Sequence, residues 1–336
     1  MVLKTLVTRR MFTAGIGTAC LGAAAGLAAP NIARAAGKIT LKLGHLANEQ
    51  DPWHKACLKF SEEVGKRTNG EVVIKVFPNE QLGKETDLIK GIQLGTVDFT
   101  ITGESLQNWV PSAALLAVPY GIRDLAHMDK VVNSAIGTEI ASQIEGKTTL
   151  RPLAYFARGP RDLTSNRPIK TPDELDGLRL RIPNVPMFVS FWQALGAKPT
   201  PMAFSEVFTS LQNGTIEAQE NPLALIKSAS FFEVQKYLNL TEHVISWIYL
   251  VGSSRKLDKM PKPHRDAIMA AAKVAEAYER QLFLADEKKL ADELKSKGMT
   301  FVTADKAAFA KKGHDAVLAS LNPNVKSLFE KILAVS

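Results

Sequence analysis

A short alternating segment near the middle of the chain places an arginine where an anion could bind. Leu180 and Ile182 alternate with Arg179 and Arg181, which is the period of a β-strand. Pro183 ends the strand, so Arg181 stands at its carboxyl end, where open α/β sheets bind ligands. A guanidinium there presents a planar fork that matches a carboxylate in two parallel hydrogen bonds. The alternative is a surface arginine, because alternating arginines are common on the solvent face of a strand.

Asn221 follows another predicted strand, residues 215–220, and stands just before Pro222. A carboxamide at this position can donate to a carboxylate and accept from a hydroxyl at the same time. Taken alone it is equally an ordinary loop asparagine, because Asn-Pro is common in turns. Its position at the end of a predicted strand favours a role for Asn221 in binding a ligand.

Three polar side chains, His45, Glu85 and Glu104, fall in loops that follow predicted strands of the N-terminal half. Carboxylates accept hydrogen bonds from sugar hydroxyls and repel a second carboxylate. The two acids therefore favour a hydroxyl-rich monocarboxylic acid as ligand. Each acid alone is more commonly a solvated surface group, so the prediction depends on their coming together.

The periodicity of the chain predicts the elements that must position these groups. Strands over 38–43, 71–77 and 97–102 alternate with helices over 52–64 and 84–94, which indicates an α/β fold with a sheet covered on both faces. Further strands are expected at 153–157 and 244–251. A helical pattern without internal glycine or proline covers about 263–297 and could span ~50 Å.

Three blocks of this chain resemble the DctP-type solute receptors of TRAP transporters, which serve sodium-coupled importers of organic acids. They are Leu180-Arg181-Ile182-Pro183-Asn184, Pro201-Met202-Ala203-Phe204-Ser205-Glu206-Val207 and Gln219-Glu220-Asn221-Pro222. The resemblance extends from about residue 38 to the C-terminus. It implies an α/β, two-lobed periplasmic binding protein of the Venus-flytrap type, braced by the long helix. We expect lobe I at 38–157 plus 247–286, and lobe II at 158–246 plus 287–336.

The resemblance also implies roles for individual residues. In the family, the arginine at the position of Arg181 clamps the substrate carboxylate, and the arginine before the phrase Thr164-Ser165-Asn166-Arg167 also reaches the ligand. The latter corresponds to Arg161, with Arg158 as the alternative. Leu46 stands where the sialic acid receptors carry a ligand-binding asparagine, which argues against sialic acid. The expected substrate-binding residues are Arg181, Arg161, Asn221, Glu104, Phe204, Asn184, Glu85 and His45.

The N-terminus has the features of an export signal. Thr8-Arg9-Arg10-Met11-Phe12 is a twin-arginine signature, followed by an uncharged run rich in alanine and glycine, and Ala33-Arg34-Ala35 offers a cleavage site. We predict that residues 1–35 are a cleaved twin-arginine signal and that the mature protein is periplasmic. Removing these residues lowers the formal charge from +8 to +4, because they contain four basic residues and no acid.

The composition excludes several classes of protein. With 336 residues, 46% hydrophobic and 23% charged, the chain is typical of a soluble globular protein. It has no Gly-x-Ser-x-Gly elbow, phosphate-binding loop or His-Glu-x-x-His pair, and its six histidines never fall at metal-ligand spacing. We therefore expect no metal, no cofactor and no nucleic-acid partner. Cys57 is the only cysteine after residue 35, so we expect no internal disulfide, and we expect a monomer.

The function that we predict from the sequence is capture of an organic acid and its delivery to a membrane permease. The two acidic loops favour a sugar acid, such as a hexuronate, as substrate. A C4-dicarboxylate receptor of the same type is the first alternative. An exported enzyme is the second, because twin-arginine export often carries prefolded enzymes, although no catalytic signature supports it.

Overall fold

The computed structural model describes residues 38–336, so the predicted signal at residues 1–35 lies outside the described residues. The N-terminal half forms the predicted β-α-β-α-β unit. Its elements are β1 (Ile39–Gly44), α1 (Pro52–Arg67), β2 (Val72–Phe77), α2 (Glu85–Leu94) and β3 (Phe99–Thr102). Asp51 caps α1 by accepting a hydrogen bond from the Trp53 amide at 2.9 Å. Gly95 ends α2 in the left-handed conformation, with φ 81°, which glycine adopts without strain.

Short helices then carry the chain around one end of this unit. Two 3-10 helices come first, Glu104–Asn108 and Pro111–Ala117, followed by α3 (Leu125–Val132) and α4 (Ala135–Thr148). The first of them begins directly after β3. Glu104 therefore lies two residues after the carboxyl end of a buried strand, at the start of a 3-10 helix.

The chain then runs through β4 (Leu150–Ser165) and into the second half. The elements that follow are a 3-10 turn at Pro172–Leu175, β5 (Arg179–Ile182), α5 (Pro186–Ala194), β6 (Lys198–Pro201), a 3-10 turn at Phe204–Glu206, α6 (Val207–Gln212), β7 (Ala218–Pro222), α7 (Leu223–Ser228) and a 3-10 turn at Phe231–Glu233. The last part comprises β8 (Tyr237–Ser253), α8 (Ser254–Lys259), α9 (Lys262–Ser296), β9 (Thr300–Thr303), α10 (Lys306–Ser320) and α11 (Pro323–Leu333).

The strands of the described residues join in one nine-stranded mixed sheet. Its order is β2-β1-β3-β8-β4-β7-β5-β6, and β9 pairs with β8 outside that order. Strands β1, β2 and β3 are parallel, as are β5, β6 and β7. Strand β4 is antiparallel to β7 and β8, and β8 is antiparallel to β3 but parallel to β9. The result is the mixed α/β, two-lobed architecture that the resemblance implies, with β4 and β8 passing through both halves.

The sequence underestimated both long strands. We predicted a strand only at 153–157, with Arg158 and Arg161 in the segment after it, but both arginines lie within β4. The pairing of β4 with β8 shifts register between Arg158 and Arg161, so the strand bends without ending. Asn221, likewise, lies inside β7 and pairs with Asp162 of β4.

The long helix α9 lies across the sheet and packs against α1. Its 35 residues extend over about 50 Å at 1.5 Å per residue, close to the predicted bounds. Glu276 and Glu279, one turn apart, accept hydrogen bonds from the amides of Tyr155 and Ala157 on β4, each at 3.0 Å. The helix is therefore bonded directly to the strand that passes between the two halves. Within residues 38–336, no helix has both the length and the apolar character needed to cross a membrane.

Candidate functional site

A cavity of about 400 Å³ lies between the two halves of the sheet. Glu85 and Glu104 reach it from the N-terminal half, and Arg181, Phe204 and Asn221 reach it from the second half. Of the eight residues predicted from the sequence, seven line this one cavity. They are Arg181, Arg161, Asn221, Glu104, Phe204, Asn184 and Glu85.

His45 is the residue that the structure does not bring into the cavity. Its side chain is fully buried, and its Nε2 lies 3.1 Å from Nδ1 of His54 on α1. Burial, helped by His54, lowers the pKa of His45 to about 3. We therefore leave His45 out of the candidate site: it is an internal packing and hydrogen-bonding group of the first loop. The direction of its side chain after Gly44 could not be deduced from the sequence.

Arg181 is a buried cation in the cavity wall. Its side chain is 3% exposed, and its Nε and Nη2 both donate to the carbonyl oxygen of Met202, at 3.1 and 2.7 Å. That carbonyl is neutral, so the charge has no direct counterion among these contacts. Burial lowers the pKa of Arg181 to about 10, although Glu220 acts in the opposite direction. Arg179, the neighbouring arginine of β5, is exposed and bonds to Gly214 instead.

Arg161 is held by an acid of the adjacent strand. Its Nε and Nη2 donate to the two carboxylate oxygens of Glu220, at 2.5 and 2.6 Å. Nε2 of His243 lies 2.9 Å from the same carboxylate. Burial would raise the pKa of Glu220, but Arg161 and His243 outweigh it and hold that pKa at about 2. Nη1 of Arg161 remains without a hydrogen-bond partner in residues 38–336, so one donor of the fork is available to a ligand.

Two acids face these arginines from the N-terminal half. Glu104 accepts a hydrogen bond from Arg158 at 2.5 Å and lies 3.8 Å from Arg161. Although burial opposes it, the pair of arginines holds the pKa of Glu104 below its ordinary value. Glu85 is different: it receives hydrogen bonds from the hydroxyls of Thr102 and Ser105, at 2.7 and 2.9 Å. Burial, together with Glu104, raises its pKa.

The other three predicted residues complete the wall on the side of the second half. Asn221 is buried, and its Nδ2 donates to Gln219 at 2.6 Å. Phe204 lies with its ring centroid 5.9 Å from the Arg181 guanidinium carbon, within the range of a cation–π contact. Asn184 is exposed at the mouth, where its backbone oxygen accepts from Asn108 at 2.8 Å. The wall thus combines cations, an amide and an aromatic ring.

Sequence reasoning missed several groups that shape the cavity. Trp53, expected only as a core residue of α1, lines the cavity. It lies beside Arg158, the predicted alternative to Arg161, whose guanidinium carbon is 5.6 Å from the Trp53 ring centroid. Glu220 and His243 support Arg161 from behind. Glu220 stands in the Gln-Glu-Asn-Pro block two residues after Ala218, on the same face as a core residue, which would have signalled a buried acid in need of a cation. His243 gave no comparable signal.

Side chains of the two halves also meet at the mouth of the cavity. The Lys84 ammonium forms an ion pair with Glu206, and the Ser205 hydroxyl donates to Glu80. Glu80, Lys84 and Glu206 line the cavity as well. These contacts join the start of α2 to the turn before α6. The arrangement is that of a closed cleft, able to enclose a small anion with polar groups along its length.

Comparison with known proteins gives the family. Residues 43–323 match the family described as bacterial extracellular solute-binding protein, family 7. The chain is 56% identical over 325 residues, covering 97% of this chain and 99% of the other, to a solute-binding protein of Roseobacter denitrificans. The crystal structure of that TRAP periplasmic solute-binding protein, with bound L-galactonate, superposes with a TM-score of 0.86 at 58% identity, covering 88% of this chain and 99% of that one.

Two further relatives carry named ligands. The chain is 38% identical over 289 residues to the 2,3-diketo-L-gulonate-binding periplasmic protein YiaO of Escherichia coli, covering 85% of this chain and 88% of the other. A TRAP periplasmic solute-binding protein of Xanthobacter autotrophicus, solved with bound β-D-galacturonate, has a TM-score of 0.84 at 31% identity, covering 88% of this chain and all of that one. These relatives are transport receptors and not enzymes. This chain belongs to the same family, the DctP-type solute-binding proteins of TRAP transporters.

Proposed function

We propose that this protein captures a six-carbon sugar acid, of the open-chain aldonate type, and delivers it to the membrane permease of a TRAP transporter. One observation carries the proposal. Arg181 is a buried guanidinium in the wall of a 400 Å³ cavity, and within residues 38–336 its hydrogen bonds go only to the neutral Met202 carbonyl. A buried cation requires an anion, and the fork geometry selects a carboxylate.

The remaining polar groups match the rest of such a ligand. Arg161 can donate to the same carboxylate from Nη1, which makes no hydrogen bond in the described part of the chain and lies 3.8 Å from Glu104. Asn221 can accept or donate beside it. Glu85 and Glu104, on the opposite wall, can accept hydrogen bonds from hydroxyls along the chain of the ligand. They would repel a second carboxylate, which disfavours C4-dicarboxylates. Phe204 supplies the apolar surface against which the carbon chain packs.

The choice of an aldonate rests on the relatives. The Roseobacter receptor was crystallised with L-galactonate, and the Escherichia coli relative is named for 2,3-diketo-L-gulonate; both are six-carbon acids. A cyclic hexuronate is the second candidate, because the Xanthobacter receptor holds β-D-galacturonate in the same fold. Both ligands have one carboxylate and several hydroxyls, as the two walls require.

Titration calorimetry of the mature protein with L-galactonate, D-galacturonate and succinate tests this function. We expect L-galactonate to bind most tightly and to raise the thermal midpoint, since a ligand at 100 times its dissociation constant stabilises the native state by about 2.7 kcal/mol. Preference for succinate over both six-carbon acids would overturn the proposed substrate class. If none of the three acids binds, Arg181 and Arg161 do not form a binding site for a carboxylate, and the proposed function is wrong.

Localisation and domain boundaries belong to the same proposal. We place the protein in the periplasm, exported through a cleaved twin-arginine signal at residues 1–35. Lobe I then comprises 38–157 plus 247–286, and lobe II comprises 158–246 plus 287–336. Replacing Arg9 and Arg10 together by lysine should leave the precursor in the cytoplasm, because the pair is read by the export receptor. Normal periplasmic yield of that variant would contradict this route.

A further inference from the structure

A second cavity, of about 350 Å³, lies between α9 and the strands β4 and β8. Trp53, Arg158 and Leu225 line both this cavity and the one described above, so they form the partition between the two. We call this second space the rear cavity. The start of α1, the junction of β7 with α7, and one face of α9 form its walls, so residues of both halves of the sheet surround it.

The walls of the rear cavity are mainly apolar, with acids set among them. Phe283 and Leu290 of α9 and Leu223 of α7 contribute apolar surface. Asp51, Asp162 and Glu279 also line the cavity, and all three are at most 3% exposed. Acids are rarely buried to this extent unless they are paired.

The cations at this site do not balance these acids. Arg158 is engaged by Glu104 on the other side of the partition, at 2.5 Å. Lys295 is exposed, and its ammonium lies 5.1 Å from the ring centroid of Phe301. Neither forms an ion pair with Asp51, Asp162 or Glu279 among the contacts of the described chain. The rear cavity is therefore an apolar space with an excess of carboxyl groups.

Glu279 provides the observation that points to a ligand. It is 1% exposed; its Oε2 accepts from the Ala157 amide at 3.0 Å, but its Oε1 has no hydrogen-bond partner in residues 38–336. If Glu279 is ionised, its Oε1 has no donor to accept from. If Glu279 is protonated on Oε1, the hydroxyl has no acceptor. In both protonation states Oε1 is unsatisfied. Buried polar atoms of this kind are costly unless something pairs with them.

We propose that the rear cavity binds a small organic ammonium ion, with the ammonium group on Glu279 and its apolar body against Phe283 and Leu290. The acids select a cation, and the apolar walls select one with a hydrocarbon part. A bare metal ion fits less well, because residues 38–336 contain no cluster of three or more side chains arranged to ligate one.

The electrostatics of the acids agree with a cation site. Burial is the largest cause in each case, and it raises the pKa of Asp51 to about 6, of Asp162 to about 7 and of Glu279 to about 8. Ionisation of these groups is thus costly when no cation is close. A bound ammonium would favour the ionised form and offset that cost.

The test is titration calorimetry of the mature protein with 2-phenylethylammonium, and with 2-phenylethanol as the neutral analogue. We expect the ammonium ion to bind at least tenfold more tightly than the alcohol. Glu279→Gln retains an oxygen for the Ala157 amide but removes the charge, so it should weaken ammonium binding at least tenfold. Glu276→Gln is the matched control: it makes the same type of bond to Tyr155 but does not line the cavity, so it should bind within twofold of the parent.

Four outcomes would overturn the proposal. Equal affinity for the ammonium ion and the alcohol would mean that the cavity recognises only apolar volume. Absence of binding would mean that water fills the space and satisfies Oε1 of Glu279. Unchanged binding by Glu279→Gln would mean that the Glu279 carboxylate does not hold the ammonium group. Loss of ammonium binding in Arg181→Ala would place the probe in the other cavity. Retention of binding in that variant is the expected result, and it keeps this test independent of the sugar-acid function.

Discussion

Arg161 and Glu220 form a doubly hydrogen-bonded ion pair across β4 and β7, with N–O distances of 2.5 and 2.6 Å. Both side chains are at most 1% exposed, and His243 bonds to the same carboxylate. The pair fixes the guanidinium so that its third nitrogen, Nη1, is left for a ligand. Glu220 thus sets the direction in which Arg161 donates.

The first prediction concerns this pair. Glu220→Gln should lower the free energy of unfolding of the ligand-free protein by about 3–5 kcal/mol, because it removes the hydrogen-bonded counterion of a buried guanidinium and leaves only Glu104, 3.8 Å away. The control is Glu217→Gln, where the acid is half exposed and lies 3.6 Å from Arg179; there we expect less than about 1 kcal/mol. Denaturant unfolding of both variants measures the difference. Similar costs for the two would contradict the structural role of the buried pair.

The second prediction concerns Arg181. Arg181→Ala should weaken binding of the sugar acid by roughly 30-fold or more, since the loss of one partner of a buried charge pair costs about 2–5 kcal/mol. Arg181→Lys should also bind poorly, because lysine keeps the charge but not the fork. Arg179→Ala is the control on the same strand. Calorimetric titration of the three variants measures these affinities. Parental affinity in Arg181→Lys would rule out a bidentate clamp. Loss of binding in Arg179→Ala would mean that Arg179, and not Arg181, binds the carboxylate.

The third prediction concerns the ion pair at the mouth of the cleft. Lys84 and Glu206 are about half exposed, so solvent weakens their interaction. Its removal should accelerate the release of ligand by at most about five-fold. A double-mutant cycle with Lys84→Met and Glu206→Gln isolates the coupling. Stopped-flow release rates at low and high salt provide the measurement, and the coupling should shrink in high salt.

Lys59→Met is the control for the third prediction, because Lys59 forms comparable surface pairs within α1. It should leave the release rate unchanged. A coupling energy near zero at low salt would mean that the pair at the mouth has no part in retaining the ligand.

The fourth prediction concerns pH. Burial raises the pKa of Asp162 from 3.8 to about 7, so the folded state binds a proton that the unfolded state has already lost. The contribution of Asp162 to the free energy of unfolding is therefore largest below about pH 4, and it falls as the pH rises towards 7. Between pH 5 and pH 8 the parent should lose roughly 2–3 kcal/mol from this source, because one pKa unit corresponds to about 1.4 kcal/mol.

Asp162→Asn tests the fourth prediction, because the amide oxygen can still accept from the Glu242 amide, which lies 2.9 Å from the carboxylate. The variant should lose less stability than the parent over the same pH range. Urea unfolding at pH 5 and pH 8 gives both differences. Equal losses in the two proteins would show that Asp162 is not the source of the pH dependence.

The sequence predicted which helices and strands form better than it predicted where they begin and end. Period-two alternation located β5 and the position of Arg181, because a strand with one buried face shows it directly. It failed at β4, where Gly159 and Pro160 resemble a turn but instead stand in a bulge that continues the strand. The irregular pairing of β4 depends on its partner strand β8, about 90 residues away in the sequence. A local sequence pattern carries no information about that partner.

Seven of the eight predicted residues line one cavity, but the sequence did not show how they pair with one another. The resemblance and the strand ends brought seven residues to one cavity. Local signals could not show that Arg161 is already bonded to Glu220, or that Arg158 is bonded to Glu104, because these partners come from distant parts of the chain. His45 was misplaced for a related reason: its partner, His54, lies on the helix that packs behind the loop.

The pairing of β3 with β8 has a consequence for synthesis of the chain on the ribosome. Phe99 of β3 lies opposite Gly252 of β8, about 150 residues later. The N-terminal β-α-β-α-β unit therefore keeps an unpaired strand edge on the nascent chain until that later segment has emerged. Closing so long a loop is entropically costly and slows folding. Maturation of the sheet is thus a late event, completed only after most of the polypeptide has been made.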